Sequence, residues 1–211
     1  MTHPLIKNLG CINFAESWQQ MQDFTNARNP STPDEFWIVE HDPVFTQGLA
    51  GKEEHILFKE HGIPIVRCDR GGQVTYHGPG QIVIYTLVDI ARLKLSIRCF
   101  VERLEIGIVD YLKSLGIEAY NDRNAPGVYV DGKKIASLGL KVRKGCTYHG
   151  LSFNFAMDEK PFGYINVCGY SGLKTTQLQS LTSSQLSFND CATKLLIHIT
   201  TAIYATNGYE K

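Results

Sequence analysis

Two short turn signals do most to limit how this chain folds. Asp131-Gly132 and Lys144-Gly145 separate three stretches of β character, Gly127 to Val130, Lys134 to Val142 and Thr147 to Phe155. Asp-Gly suits the backbone of a tight hairpin, so neighbouring stretches are expected to pair as an antiparallel meander. Along the middle stretch, period-2 alternation puts Lys134 on one face with Ala136, Leu138, Leu140 and Val142, and Lys133, Lys141 and Arg143 on the other. Of two adjacent lysines, Lys134 is therefore the one expected to point at a core or pocket. Burial disfavours an ammonium unless an anion stands beside it, and a cysteine thiolate is such an anion. The plain alternative is a strand-end lysine reaching back to solvent. By the same parity His149, Leu151, Phe153 and Phe155 share a face, with Gly150, Ser152 and Asn154 on the other. His149 and His77 read first as structural histidines, although either is able to carry a proton.

Helical spacing occurs in three places. Phe14, Trp18, Met21 and Thr25 predict a helix over residues 14–28, ended by Asn29-Pro30. Ile97, Phe100, Leu104, Ile108, Leu112 and Leu115 form an apolar stripe between Ser96, suited to cap its start, and Gly116, suited to stop it. Cys191, Leu195, Ile199 and Ala202 or Ile203 predict a closing helix from Ser187 to Tyr204. Phe36 to Val39, Pro64 to Val66 and Ile82 to Val88 read as strands. There is no internal repeat, low-complexity tract or linker, so the expectation is one mixed α/β domain over residues 1–211.

Charge and cysteine usage narrow the function classes. The 21 basic and 21 acidic side chains cancel, so no global field draws the chain to nucleic acid or to an anionic membrane, and any charged partner must be met by a local patch. No run reaches the roughly 18 apolar residues of a membrane helix, and Met1 to Cys11 lacks a basic segment followed by a long apolar one. A cytoplasmic location is expected. Six cysteines, Cys11, Cys68, Cys99, Cys146, Cys168 and Cys191, follow no disulfide spacing and are expected to stay reduced. Cys146 and His149 make a C-x-x-H pair, but no second pair completes a four-ligand set, so no metal is expected.

Two segments carry candidate chemistry. In Arg70-Gly71-Gly72-Gln73-Val74-Thr75-Tyr76-His77-Gly78-Pro79-Gly80-Gln81, glycines let the backbone approach a ligand while Arg70, Gln73, Thr75 and His77 supply polar tips. A ligand-facing loop and a plain connection between strands both fit. A P-loop does not, because no Gly-Lys-Ser/Thr follows and Pro79 lacks an N–H. Cys168 stands in Asn166-Val167-Cys168-Gly169-Tyr170-Ser171-Gly172, inside a stretch broken by Pro161, Gly163, Gly169 and Gly172. That places its sulfur in a loop, where a nucleophile is able to reach substrate. The other cysteines lie in or beside apolar periodic segments or, for Cys146, at a turn, which ranks Cys168 first.

Four pieces then stand out together: Arg70 to Gly80, Lys134-Ile135-Ala136-Ser137-Leu138-Gly139, Tyr148-His149-Gly150-Leu151 and Asn166-Val167-Cys168-Gly169-Tyr170. In order and separation they resemble the successive motifs of the lipoyl(octanoyl) transferase family, a likeness that begins near Glu40-His41-Asp42-Pro43-Val44-Phe45-Thr46-Gln47-Gly48 and covers most of the chain. One departure is Val167, where the family usually has Pro; this frees the backbone before the cysteine but removes no reacting atom.

The resemblance implies the biotin/lipoate protein ligase-like fold, a mixed sheet flanked by helices with a smaller second sheet. It also implies a reaction without a cofactor. Octanoyl-acyl carrier protein passes its acyl group to the enzyme cysteine, which passes it to the lysine amine of lipoyl domains in 2-oxoacid dehydrogenase complexes and the glycine-cleavage H protein. Carried over by motif, Cys168 is the acyl-thioester nucleophile and Lys134 favours its thiolate and handles protons. Arg70, Gly71, Gly72, Gln73, Val74, Thr75, Tyr76, His77, Ser137, Leu138, Gly139, Gly150, Leu151 and Ser152 match substrate-binding segments. The expected state is a monomer, with no nucleic acid or membrane partner. Lys133, Lys141, Arg143 and Lys144 on the outward side of the meander, with Arg67 and Arg70 near the glycine-rich loop, are expected to steer acidic partners, against the plain reading of a solvated strand face. Competing readings are an ATP-dependent lipoate protein ligase, a non-enzymatic acyl-carrier-binding protein, and a hydrolase pairing Cys168 with a histidine.

Overall fold

The structure, a computed structural model, describes residues 3–58 and 62–205. In chain order its elements are β1 (Leu5–Cys11), α1 (Phe14–Ala27), β2 (Glu35–Glu40), β3 (Val44–Gln47), β4 (Ile65–Arg67), β5 (Val74–His77), β6 (Gln81–Leu87), α2 (Ile97–Ser114), β7 (Tyr120–Asn121), β8 (Val128–Val130), β9 (Lys133–Arg143), β10 (Cys146–Asn154) and α3 (Phe188–Tyr204). A seven-stranded sheet runs in the order β1-β2-β6-β10-β9-β8-β7, and a three-stranded sheet in the order β4-β3-β5. Parallel pairing joins β1 to β2 and β3 to β4; the other ladders are antiparallel. This is the mixed α/β architecture, with its smaller second sheet, that the motifs implied.

Each α-helix begins where a small polar side chain meets an orphan N–H. Asn13 accepts from Ala15, Ser96 from Cys99 and Ser187 from Asp190. Helices α2 and α3 pack on one face of the large sheet, joining Phe100, Leu104, Ile108, Leu195 and Ile199 to Phe36, Ile82, Ile84, Leu151 and Phe153. Helix α1 covers part of the other face, setting Met21 against Trp37, Val39, Val83, Tyr85 and Tyr148. Strands β2, β6 and β10 are thus sandwiched between helices and buried along nearly their whole length, which accounts for the apolar runs of β2 and β6. Each fully buried large apolar side chain contributes about 1.5–3 kcal/mol.

The meander pairs as expected, with Asp131 and Gly132 both at positive φ in the β8–β9 turn. Simple alternation fails at two places. The β8–β9 register shifts between Val128 and Tyr129, so Lys134, Ile135 and Ala136 are all buried, whereas Val142, expected on the apolar face, is 37% exposed near the strand end. At His149, φ is +57°, and the ring lies beside Tyr148, Phe14 and Trp18 rather than with Leu151 and Phe153. His149 therefore lies on the sheet face opposite the one that strict alternation predicts.

Candidate active site

A cavity of about 360 Å³ lies where the two sheets meet, and most of its wall comes from the segments singled out by motif. Arg70, Gly71, Gly72, Gln73, Thr75 and His77 form one side, Ser137, Leu138 and Gly139 of β9 another, Gly150, Leu151 and Ser152 of β10 a third, and Lys134 and Cys168 complete it. Val74 and Tyr76 are not in this wall. Their places on β5 alternate with Thr75 and His77, so they pack with Phe45, Phe162 and Val167 in the core of the small sheet. They back the cavity instead of lining it.

Cys168 sits in a single 3-10 turn, Val167–Gly169, with φ +54° and ψ +20°. A non-glycine residue in this left-handed region is strained by about 1 kcal/mol or more, and such strain is found preferentially where a side chain must be aimed. Several contacts hold the turn. The Asn166 N–H donates to His55 O at 2.8 Å, the Gly169 N–H to Asn166 O at 2.8 Å, and Tyr170 OH to Asn124 O at 3.0 Å. Val167, before the cysteine, is 2% exposed in the small-sheet core, so packing restricts the backbone there.

Lys134 is 1% exposed, and its amine is surrounded. Nζ donates to Cys168 Sγ at 3.2 Å and to Pro126 O at 2.9 Å, and lies 5.3 Å from the centroid of the Tyr129 ring. The amine thus faces a carbonyl, an aromatic ring and a sulfur. Lys133, by contrast, is exposed.

Arg70 departs from expectation. It is 7% exposed rather than part of a surface patch. Nε and Nη2 donate to Thr46 Oγ1, Nη2 also to Thr46 O and Gln73 O, and Nη1 to Gly71 O, at 2.5–3.1 Å. The guanidinium clips the glycine-rich loop to β3 and so shapes the cavity wall.

One part of the cavity wall carries a group of polar and aromatic side chains, His77, His149, Tyr85 and Phe14, with His41 and Asp69 against them, that sequence reasoning only partly found. His77 bonds Gln81 Oε1 at 2.7 Å and Thr46 Oγ1 at 3.2 Å; burial, with His41 nearby, pushes it down to about 3, so it is neutral at physiological pH. His41 bonds the Tyr85 hydroxyl at 2.6 Å. His149 Nε2 lies 2.9 Å from Asp69 Oδ1, and burial lowers its titration despite that carboxylate. Burial alone would raise Asp69, but His149, the Tyr148 hydroxyl and Trp18 Nε1 all hydrogen-bond to it and hold it well below the usual carboxylate range. Asp69 carried no signal in the sequence: one acid between Cys68 and Arg70 gives no hint of partners 51 and 80 residues away. Ile97, Val83 and Leu140, also in the wall, are visible in the sequence only as stripe or strand residues, and Val101, off the stripe, carries no signal.

Comparison with known proteins places the chain among related sequences and folds. The family model described as the lipoyl protein ligase A/B catalytic domain matches residues 13–200. An octanoyltransferase from Chromobacterium violaceum is 53% identical over 195 residues, covering 92% of this chain and 93% of its own. Another, from Cellvibrio japonicus, is 58% identical over 174 residues, 82% of this chain and 80% of its own. Among solved structures, a lipoate-protein ligase A bound with ATP superposes with a TM-score of 0.80 at 15% identity, covering 96% of this chain and 86% of that one. A biotin protein ligase from Aquifex aeolicus superposes at 0.56 with 13% identity, over 96% of this chain and 70% of that one. The last two are likenesses of fold.

Proposed function

Because this chain belongs to the lipoyl protein ligase A/B catalytic domain family, we propose that it transfers an octanoyl group to the lysine amine of a lipoyl domain, carrying the group as a thioester on Cys168. The observation that supports this most is the 3.2 Å approach of Lys134 Nζ to Cys168 Sγ in the wall of a largely apolar cavity. The donor is octanoyl-acyl carrier protein. The acceptors are lipoyl domains of 2-oxoacid dehydrogenase complexes and the glycine-cleavage H protein, met in the cytoplasm by a monomer.

The chemistry divides into two balanced steps. On loading, Lys134 takes the thiol proton and the Cys168 sulfur attacks the carrier thioester; a new C–S bond forms, the old one breaks, and the departing carrier sulfur takes the proton back from Lys134. On unloading, the acceptor amine attacks the acyl-enzyme, a C–N bond forms and the C–S bond breaks. Lys134 receives the amine proton, leaving an ammonium beside a thiolate. Exchange of one thioester for another is nearly balanced, and passage to an amide runs downhill, so no nucleotide is required. Backbone N–H groups near Leu138 and Gly139 are the candidate donors to the oxyanion. Leu138, Leu151, Val83 and Val101 supply apolar wall for the acyl tail, where each methylene is worth about 0.8 kcal/mol.

Acidic partners are met by Lys133, Arg143 and Lys144, which are exposed, and by the half-buried Lys141. Arg67 is already paired with Glu53 at 2.5 Å and adds less.

The test is intact-mass analysis after incubation with octanoyl-acyl carrier protein in the absence of ATP. A single octanoyl adduct on the Cys168 peptide, missing in Cys168→Ala, is the expected result. Product formation that requires ATP, with no adduct, supports the ligase reading instead.

A further inference from the structure

The amine of Lys134 leans on a peptide whose other end is held by a buried acid. Lys134 Nζ donates to Pro126 O at 2.9 Å, and the N–H of that same peptide unit, on Gly127, donates to Glu105 Oε1 at 2.7 Å. Glu105 projects from α2, is 4% exposed, and accepts through Oε2 from Asn121 Nδ2 of β7 at 3.0 Å. We infer that Glu105 is a positioning residue for Lys134, acting through the Pro126–Gly127 peptide to keep the amine charged and aimed at Cys168. This inference rests on the proton-handling role proposed above for Lys134.

An acid at this place is unusual on energetic grounds. Glu105 lies beside Leu104 and Ile108 on the buried side of α2, where an apolar residue would pack without penalty and a carboxylate must find partners. Burial pushes the Glu105 carboxyl up; Asn121 and the Gly127 N–H pull it back, Glu102 on the same helix raises it, and Lys134 is the cation that favours its ionised form. A carboxylate accepting from a peptide N–H polarises that peptide, so its carbonyl becomes a better acceptor for an ammonium than for a neutral amine. Glu105, the peptide, Lys134 Nζ and Cys168 Sγ thereby form a chain of three hydrogen bonds ending on the sulfur. Mere anchoring of the segment before β8 to α2 needs only an acceptor oxygen. The relay needs the charge.

Glu105→Gln separates the two, since it keeps an oxygen for the Gly127 N–H and loses the charge. The experiment follows iodoacetamide alkylation of the Cys168 peptide by mass across the neutral and alkaline range, together with thermal melting, in the wild type, Glu105→Gln and Lys134→Met. The relay predicts a folded Glu105→Gln protein whose Cys168 alkylation at neutral pH falls roughly tenfold, with the profile displaced to higher pH in the same direction as in Lys134→Met. If Lys134→Met is displaced and Glu105→Gln overlays the wild type, the relay is overturned while the role of Lys134 stands. If Lys134→Met itself overlays the wild type, the proton-handling reading fails, and the relay with it. Loss of folding in Glu105→Gln at neutral pH also overturns the relay, because the charge would then be needed for the segment and not for the amine.

Discussion

Replacing Gly127 with Ala tests the geometry around Lys134 most severely for a single methyl group. Gly127 has φ +144°, and a Cβ there would lie 2.6 Å from Lys134 Cε, 2.8 Å from Ala136 O and 3.0 Å from Lys134 Nζ. The Ala136 carbonyl belongs to β9 and cannot yield far, and the lysine end is boxed by Tyr129 and Pro126, so both strand and amine must shift. Backbone strain of order 1–3 kcal/mol and overpacking of similar size predict a stability loss of about 2–6 kcal/mol, or roughly 4–24 °C in melting temperature for a chain of this length. Displacement of the amine by about 1 Å is expected to slow acyl loading roughly a hundredfold. Gly132→Ala is the control. Its φ is +74° but nothing lies within 4 Å of the added carbon, so it should lose about 1 kcal/mol of stability and load normally. Quenched-flow loading measured by intact mass, beside melting curves, reads both effects. A Gly127→Ala protein that is destabilised but loads at the wild-type rate refutes the argument that the position of the amine matters.

Three further outcomes follow from the same structure. Lys134→Met should slow loading at saturating donor by about 10²–10⁴-fold, while Lys133→Met, which alters an exposed member of the steering patch, changes only the association step; equal effects at saturation contradict the assignment. His77 is held neutral, down to about 3, so the unfolded chain binds a proton below about pH 6.5 that the folded one refuses. Its contribution is therefore complete above that pH and is lost on acidification at up to about 1.4 kcal/mol per pH unit; denaturant curves between about pH 7 and 5 should show a shallower fall in His77→Asn, and identical slopes reject the reasoning. Charge reversal at Lys133, Arg143 and Lys144 should slow association with acyl carrier protein and flatten its dependence on salt, and stopped-flow traces indifferent to both dispose of the steering patch.

Elements with strong local signals were legible from sequence. The stripe from Ile97 to Leu112 and the Ser96 cap placed α2 almost to the residue, and the turn dipeptides placed β8, β9 and β10. Strand β1 was not, because an exposed edge containing Lys7, Asn8 and Gly10 has no apolar alternation to detect. Strands β3 and β5 are four residues each, too short for a period, and β5 hides inside a segment read as a glycine-rich loop. At the site, Lys134 was distinguished from Lys133 by parity alone, but its meeting with Cys168 depends on a hairpin, a bulge and a loop returning across 34 residues. The irregular backbone at His149 reversed a face, and Asp69 and Glu105 drew no notice, since each acquires its partners only when distant segments pack.

The covalent relay itself is tested by isolating the octanoylated protein free of donor and mixing it, in single turnover, with an unmodified lipoyl domain while intact masses of both chains are followed. Octanoyl is expected to leave Cys168 and arrive on one lysine of the lipoyl domain with equal rate and stoichiometry, and without nucleotide. An acyl group that stays on Cys168, or is lost to water while the lipoyl domain remains unmodified, would contradict the covalent relay.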